Sequence, residues 1–122
     1  PAVSSRSFPE IKEAMLRSIP ANHVTFFSNL KLFYELGDYF FVHAGIRPGH
    51  RIDEQEPQDL LWIRDEFTHS RQTHEKVIVH GHSISREPEL RDNRINIDTG
   101  AYATNVLTCL VLEGNDQRLL ST

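Results

Sequence analysis

The chain has one cysteine, Cys109, in 122 residues. No internal disulfide can form, which fits a reducing compartment and gives the expectation of a cytoplasmic protein. No apolar run approaches the ~20 residues that a membrane-spanning helix needs, and the opening "PAVSSRSF" lacks the apolar stretch of a signal peptide. Positive charge is not in excess. Thirteen lysines and arginines against 17 aspartates and glutamates give a net charge of −4 with histidine neutral, so there is no electrostatic case for nucleic acid or an anionic membrane as partner. Neither GxxxxGK[ST] nor GxGxxG occurs, so no glycine-rich loop opens a helix to cradle nucleotide phosphates. There is no internal repeat, low-complexity run or linker. What remains is a composition with 39% hydrophobic and 25% charged residues, which belongs to a folded domain with a single core. Within it stand seven histidines, the main chemical resource. Pro1 occupies the place of an initiator methionine, and the expectation is a chain processed or cut from something longer.

Ser7 and Glu10 form an S-x-x-E capping box with Pro9 in the first turn. Ile11, Met15 and Ile19 recur at i, i+4, i+8, so residues 8–18 read as an amphipathic helix that Pro20 ends. "ANHVTFFSNL" reads as a short helix. In "KLFYELGDYFFVHAG" two aromatic, β-branched runs flank Gly37-Asp38, the pattern of a tight hairpin, and the second strand delivers His43 at its end. "GIRPGHRIDEQEP" is a loop. Pro57, Leu60, Ile63 and Phe67 predict a helix over 58–69 with Trp62 and Ile63 facing the core. "KVIVHG" is a short buried strand, "PELRDN" a connector, and "RINIDTGA" a strand ending at Asp98-Thr99-Gly100. "NVLTCLVLEG" and "QRLLST" form a last antiparallel pair. The fold class expected is α/β, a mixed and largely antiparallel sheet with hairpins at both ends and flanking helices.

His43 and His82 share a setting. Each lies at the C-terminal end of a hydrophobic strand beside glycine, in "FFVHAG" and "VIVHGH". Strand ends of α/β sheets open onto the crevice where ligands bind, and imidazoles from two neighbouring strands can meet on one metal ion. The competing reading makes both ordinary buried histidines bonded to carbonyls. His80 precedes His82 by two residues; a break at Gly81 turns the two apart, leaving His82 as ligand and His80 as its support or as core. Arg64 either clamps a phosphate in the same crevice or pairs with Asp65 or Glu66 of its own helix. Arg47 reads as solvated. Asp98 either orients a ligand histidine or, as its position favours, supports a turn. His23, His50, His69 and His74 read as solvated, Ser4, Ser5 and Ser7 as a polar tail with no base nearby, and Cys109 as inert core. From the residues alone this amounts to half of a metal site plus a phosphate clamp.

"YFFVHAGIRPG", "DLLWIRDEF", "VIVHGHSIS" and "INIDTGAYATNVLTCLVLEG", in that order over residues 24–114, resemble the C-terminal half of the calcineurin-like metallophosphoesterases. The similarity is to the bacterial branch that includes serine/threonine protein phosphatases and diadenosine tetraphosphatases. That resemblance implies part of an α/β/β/α sandwich. It implies that His43 and His82 bind one ion of a dinuclear site, with Ser83 where threonine is common, that Arg64 contacts the substrate phosphate, and that the "IDTGA" strand packs behind the site with Asp98 as support. The cofactors implied are two divalent metals, Mn, Fe or Zn, activating water against a phosphate monoester of a phosphoprotein or a dinucleotide polyphosphate. The family's "GDxHG", "GDxxDRG" and "GNHE" motifs do not occur; "GDYFF" is a hairpin turn. The expectation is therefore a single domain over 1–122, the C-terminal portion of such an enzyme, weak or inactive alone. An apolar sheet face left open for self-association is also expected. The alternative is a noncatalytic binding or structural domain that keeps the fold.

Overall fold

A computed structural model describes residues 7–122, which leaves Ser4 and Ser5 outside. The chain divides into two compact units, Pro1–Lys31 and Leu32–Thr122.

The first unit contains two helices, α1 (Phe8–Ser18) and α2 (Ala21–Ser28). The capping box forms: Glu10 Oε2 accepts from Ser7 N at 2.7 Å and from Ser7 Oγ at 2.8 Å. These bonds satisfy donors that the first turn would otherwise leave open. The amphipathic spacing produced the helix, but Ile11 and Met15 remain exposed and α1 buries no residue.

The second unit carries the sheet. β1 (Phe33–Leu36) and β2 (Tyr39–Val42) form the predicted two-residue hairpin. Along β2, Phe40 and Val42 are buried while Tyr39 and Phe41 are half-covered, the period-two alternation of a strand with one wetter face. Next come a 3₁₀ turn at Ile52–Glu54, α3 (Pro57–Trp62), α4 (Asp65–Thr68) and β3 (Val77–His80). β4 (Glu89–Leu90), β5 (Arg94–Asn96), α5 (Ala101–Thr104), β6 (Thr108–Glu113) and β7 (Asp116–Ser121) complete it. Five strands form one mixed sheet in the order β1-β2-β3-β5-β4. β3 runs parallel to both β2 and β5, while the edge strands are antiparallel to their neighbours. The architecture is the expected mixed α/β, a mixed sheet with flanking helices. Its core joins Phe40, Val42 and Ile78 of the sheet to Leu60, Ile63 and Phe67 of the α3–α4 segment.

Several local readings need correction. The helix expected over 58–69 is two short helices, broken where Ile63 (ψ 144°) and Arg64 (φ −130°, ψ −111°) leave helical geometry. The break lets Ile63 turn inward and Trp62 outward; Trp62 is 61% exposed, against the expectation that it faced the core. "PELRDN" contains an edge strand, β4, because Glu89 and Leu90 pair with Asn96 and Ile95. "DTGAYAT" leaves its strand early and winds into α5. β6 and β7 do not extend the main sheet; they form a separate two-stranded sheet, and Cys109 on β6 is exposed, not core.

Candidate functional site

The parallel pairing of β2 and β3 brings their C-terminal ends side by side. His43 follows β2 directly. His82 follows β3 by one glycine, and the Gly81 amide donates to the His43 carbonyl at 2.9 Å, tying the two exits together. Gly81 has little room for a side chain: a Cβ there would stand 3.3 Å from Asp98 Cβ. His82 itself takes φ +63°, a left-handed conformation that a residue with a Cβ adopts at a cost and that collects at functional sites. The turn swings His82 away from the strand direction and towards His43. His43 Nε2 and His82 Nδ1 face each other at 3.1 Å.

That distance can be tested against a shared ion. Two imidazole nitrogens each ~2.0–2.1 Å from one metal stand roughly 2.8–3.0 Å apart at octahedral angles and roughly 3.3–3.4 Å apart at tetrahedral ones. The pair therefore fits two ligand positions of one centre. His82 Nε2 is buried with no hydrogen-bond partner, so its neighbourhood does not compete for the ring. Burial chiefly, then the charges of Arg64 and His43, lower the His82 pKa, against the opposing charge of Asp98. The shift favours the neutral form, whose lone pair a metal requires. The fit stops at two ligands. Among the described residues no group of three or more His, Cys, Asp or Glu side chains converges.

Arg64, freed from helical geometry, points its Nη1 at the His82 carbonyl over 3.4 Å. It makes no ion pair with Asp65 or Glu66; the latter is taken by Arg47. Arg47 is not simply solvated. Its Nε and Nη2 fork onto Asp59 at 2.8 Å each and its Nη1 donates to Glu66 at 2.7 Å, a bidentate match that closes the 45–57 loop onto α3 and α4. Asp98 caps the turn after β5, with Oδ1 accepting from the Gly100 amide at 3.0 Å.

His80 and His82 do diverge at Gly81. His80 is 2% exposed and sits edge-on to Phe67. Of the four histidines read as solvated, His23, His50 and His69 are exposed, but His74 is not. It is half-buried near the Phe67 ring, and burial lowers its pKa. One residue escaped the sequence reading altogether. Arg94 is 1% exposed, buried on β5 with its neighbour Asn96, whose Nδ2 donates to the Ser83 carbonyl at 2.7 Å and so braces the loop that follows His82. The readable signal is a polar pair at i, i+2 inside a strand, Arg94 and Asn96.

No protein-family profile matches the chain, and no curated protein does. Among solved structures it is similar to one described as "Crystal structure of a putative diadenosine tetraphosphatase", with a TM-score of 0.70 and 19% sequence identity. The likeness fixes the fold. It covers 93% of this chain and 61% of the other, so the chain spans about three fifths of that neighbour's length. Among the described residues no helix is long and apolar enough to cross a membrane.

Proposed function

We propose that this chain contributes one half of a dinuclear metal phosphoesterase site. His43 and His82 would hold one divalent ion, Arg64 would bind the phosphate, and the remaining ligands would come from beyond these 122 residues. The observation that carries the reading is the approach of His43 Nε2 to His82 Nδ1 at 3.1 Å from the ends of two parallel strands. Its support is the likeness in fold to a solved structure described as "a putative diadenosine tetraphosphatase". Bound divalent ions in such a site supply Lewis acidity and water activated at neutral pH. The chain's own residues do the rest. The two imidazoles present ring nitrogens from rigid strand ends. Arg64, exposed at the same crevice, offers a planar cation able to neutralise charge growing on phosphoryl oxygens. His80 and Asp98 stand behind and beside the Gly81 turn. Mixed nitrogen and oxygen ligation suits Mn, Fe or Zn. A phosphoprotein or a dinucleotide polyphosphate is the substrate class proposed, acting in the cytoplasm.

A second reading is favoured by the same geometry. With only two convergent ligands among the described residues, the chain alone would keep the fold and bind rather than catalyse. One experiment tests what the two readings share. Calorimetric titration with Zn²⁺ is expected to give a site that His43→Ala or His82→Ala abolishes, while p-nitrophenyl phosphate with Mn²⁺ is turned over weakly or not at all. Unchanged Zn²⁺ binding in both variants would remove the metal pair. Turnover at an ordinary enzymatic rate would show that the half-site account is wrong. If the site binds Zn²⁺ and Arg64→Ala weakens inorganic phosphate binding to the loaded chain by roughly tenfold, the phosphate clamp stands.

A further inference from the structure

Behind the histidine pair runs a buried polar chain that the ligand geometry does not explain by itself. Glu89 on edge strand β4 is ion-paired with Arg94 on β5, Nη2 to Oε2 at 2.8 Å. Arg94 Nη2 also donates to the Thr68 carbonyl at 3.0 Å, and its Nη1 lies 3.2 Å from His80 Nε2. On the far side of the His80 ring, Nδ1 lies 3.0 Å from the Gly81 carbonyl oxygen. A guanidinium has donors and no acceptor, so His80 Nε2 must take the bond as an unprotonated nitrogen. The ring proton is then on Nδ1, and Nδ1–H donates to the Gly81 carbonyl. The Gly81 carbonyl, an acceptor only, favours the same tautomer from the Nδ1 side, and Arg94 closes off the alternative by occupying the Nε2 lone pair.

The choice matters because of what the Gly81 carbonyl belongs to. It is part of the peptide that joins Gly81 to His82, and His82 has the left-handed φ of +63°. The Ser83 amide reaches the same oxygen at 2.7 Å, and the preceding peptide is held by the Gly81 amide on the His43 carbonyl at 2.9 Å. The plane of the Gly81–His82 peptide sets where the His82 ring begins. With His80 in the other tautomer, its Nδ1 lone pair would face the carbonyl lone pairs and push that plane away.

We infer that Arg94 is a positioning residue: by fixing the His80 tautomer it locks the Gly81–His82 peptide and so aims His82 Nδ1 at His43. The inference rests on the metal-pair reading for its use, but its structural content can be tested without metal. Ring ¹⁵N spectra of the metal-free chain should show His80 protonated at Nδ1 and bare at Nε2. Arg94→Met should release it into a mixture of tautomers and raise the Zn²⁺ dissociation constant by about tenfold or more, the scale at which outer partners act on metal ligands. Arg94→Lys, which keeps a donor, should recover most of both. A merely structural role would lower the melting temperature of Arg94→Met without moving the tautomer or being rescued by lysine. His80 protonated at Nε2 in the wild type would overturn the inference, and so would a tautomer or a Zn²⁺ affinity indifferent to Arg94→Met. If Arg94→Met does not fold, the wild-type and Arg94→Lys spectra decide alone. Zn²⁺ binding indifferent to His43→Ala would sink the metal pair and leave the positioning to be judged by the tautomer.

Discussion

Gly45→Ala is expected to destabilise the chain by about 3 kcal/mol or more, since it combines overpacking with an unfavourable backbone conformation. Gly45 lies two residues past His43 with φ +151°, and a Cβ there would fall inside the Phe67 ring, 2.6 Å from Cε1. Phe67 is fully buried and cannot swing aside without opening the α4 side of the core. Net stabilities of domains are about 5–15 kcal/mol, so such a loss removes a large part of the total. Gly81→Ala is the internal comparison: its Cβ would meet Asp98 at 3.3 Å and its φ is ordinary, so it should cost much less. Urea denaturation of the three proteins measures both. A Gly45→Ala midpoint equal to that of the wild type would mean the backbone does not pass the ring as described. Phe67→Leu should restore part of the loss in the double variant, because the two substitutions share one contact.

The second large effect is a pH dependence. Burial, with the nearby charge of Arg94 adding to it, lowers the His80 pKa from the ordinary 6.5 to about 4, although its bond to the Gly81 carbonyl works the other way. As pH falls below 6.5 the unfolded chain takes up a proton at this position while the folded chain does not, so unfolding gains. The contribution of His80 is therefore complete above pH 6.5, shrinks as the pH falls, and is exhausted near pH 4. At ~1.4 kcal/mol per pH unit this comes to roughly 3 kcal/mol across the window. His74 and His82, also lowered, add to it with the same sign. Urea midpoints between pH 4 and 7 should show the slope, and His80→Gln should flatten it. A stability curve that is level over this window would mean that His80 is not held neutral in the core.

Much of this was legible in the residues because it rested on short-range chemistry. The β1–β2 hairpin follows from Gly37-Asp38 between two aromatic runs, and α1 from Ser7, Glu10 and Pro20. His43 and His82 could be paired in advance because each closes an apolar strand beside a glycine. What could not be read depended on partners distant in sequence. The helix over 58–69 was continuous by its periodicity, but the chain breaks at Ile63 and Arg64, and Ile63 lies buried in the core cluster that also holds Phe40 and Ile78. Arg47 looked solvated because Asp59 and Glu66, its partners, lie 12 and 19 residues away. The strand "RINIDTGA" gives no sign that Arg94 is buried, and only the folded chain shows Glu89, Thr68 and His80 gathered around it. β6 and β7 pair as expected, but no local pattern says that they stand apart from the main sheet.

The position of β3 in the order β1-β2-β3-β5-β4 also decides which parts of the molecule open first. Edge strands β1 and β4 each have one neighbour and can fray, exchanging their amide hydrogens through small local openings. β3 is bonded on both sides by strands that are themselves interior, and its amides should exchange only with the deepest openings. His43 hangs from β2 and His82 from β3, so the imidazole pair is joined to two of the last strands to part. A chain frayed at both edges would still hold its grip between them.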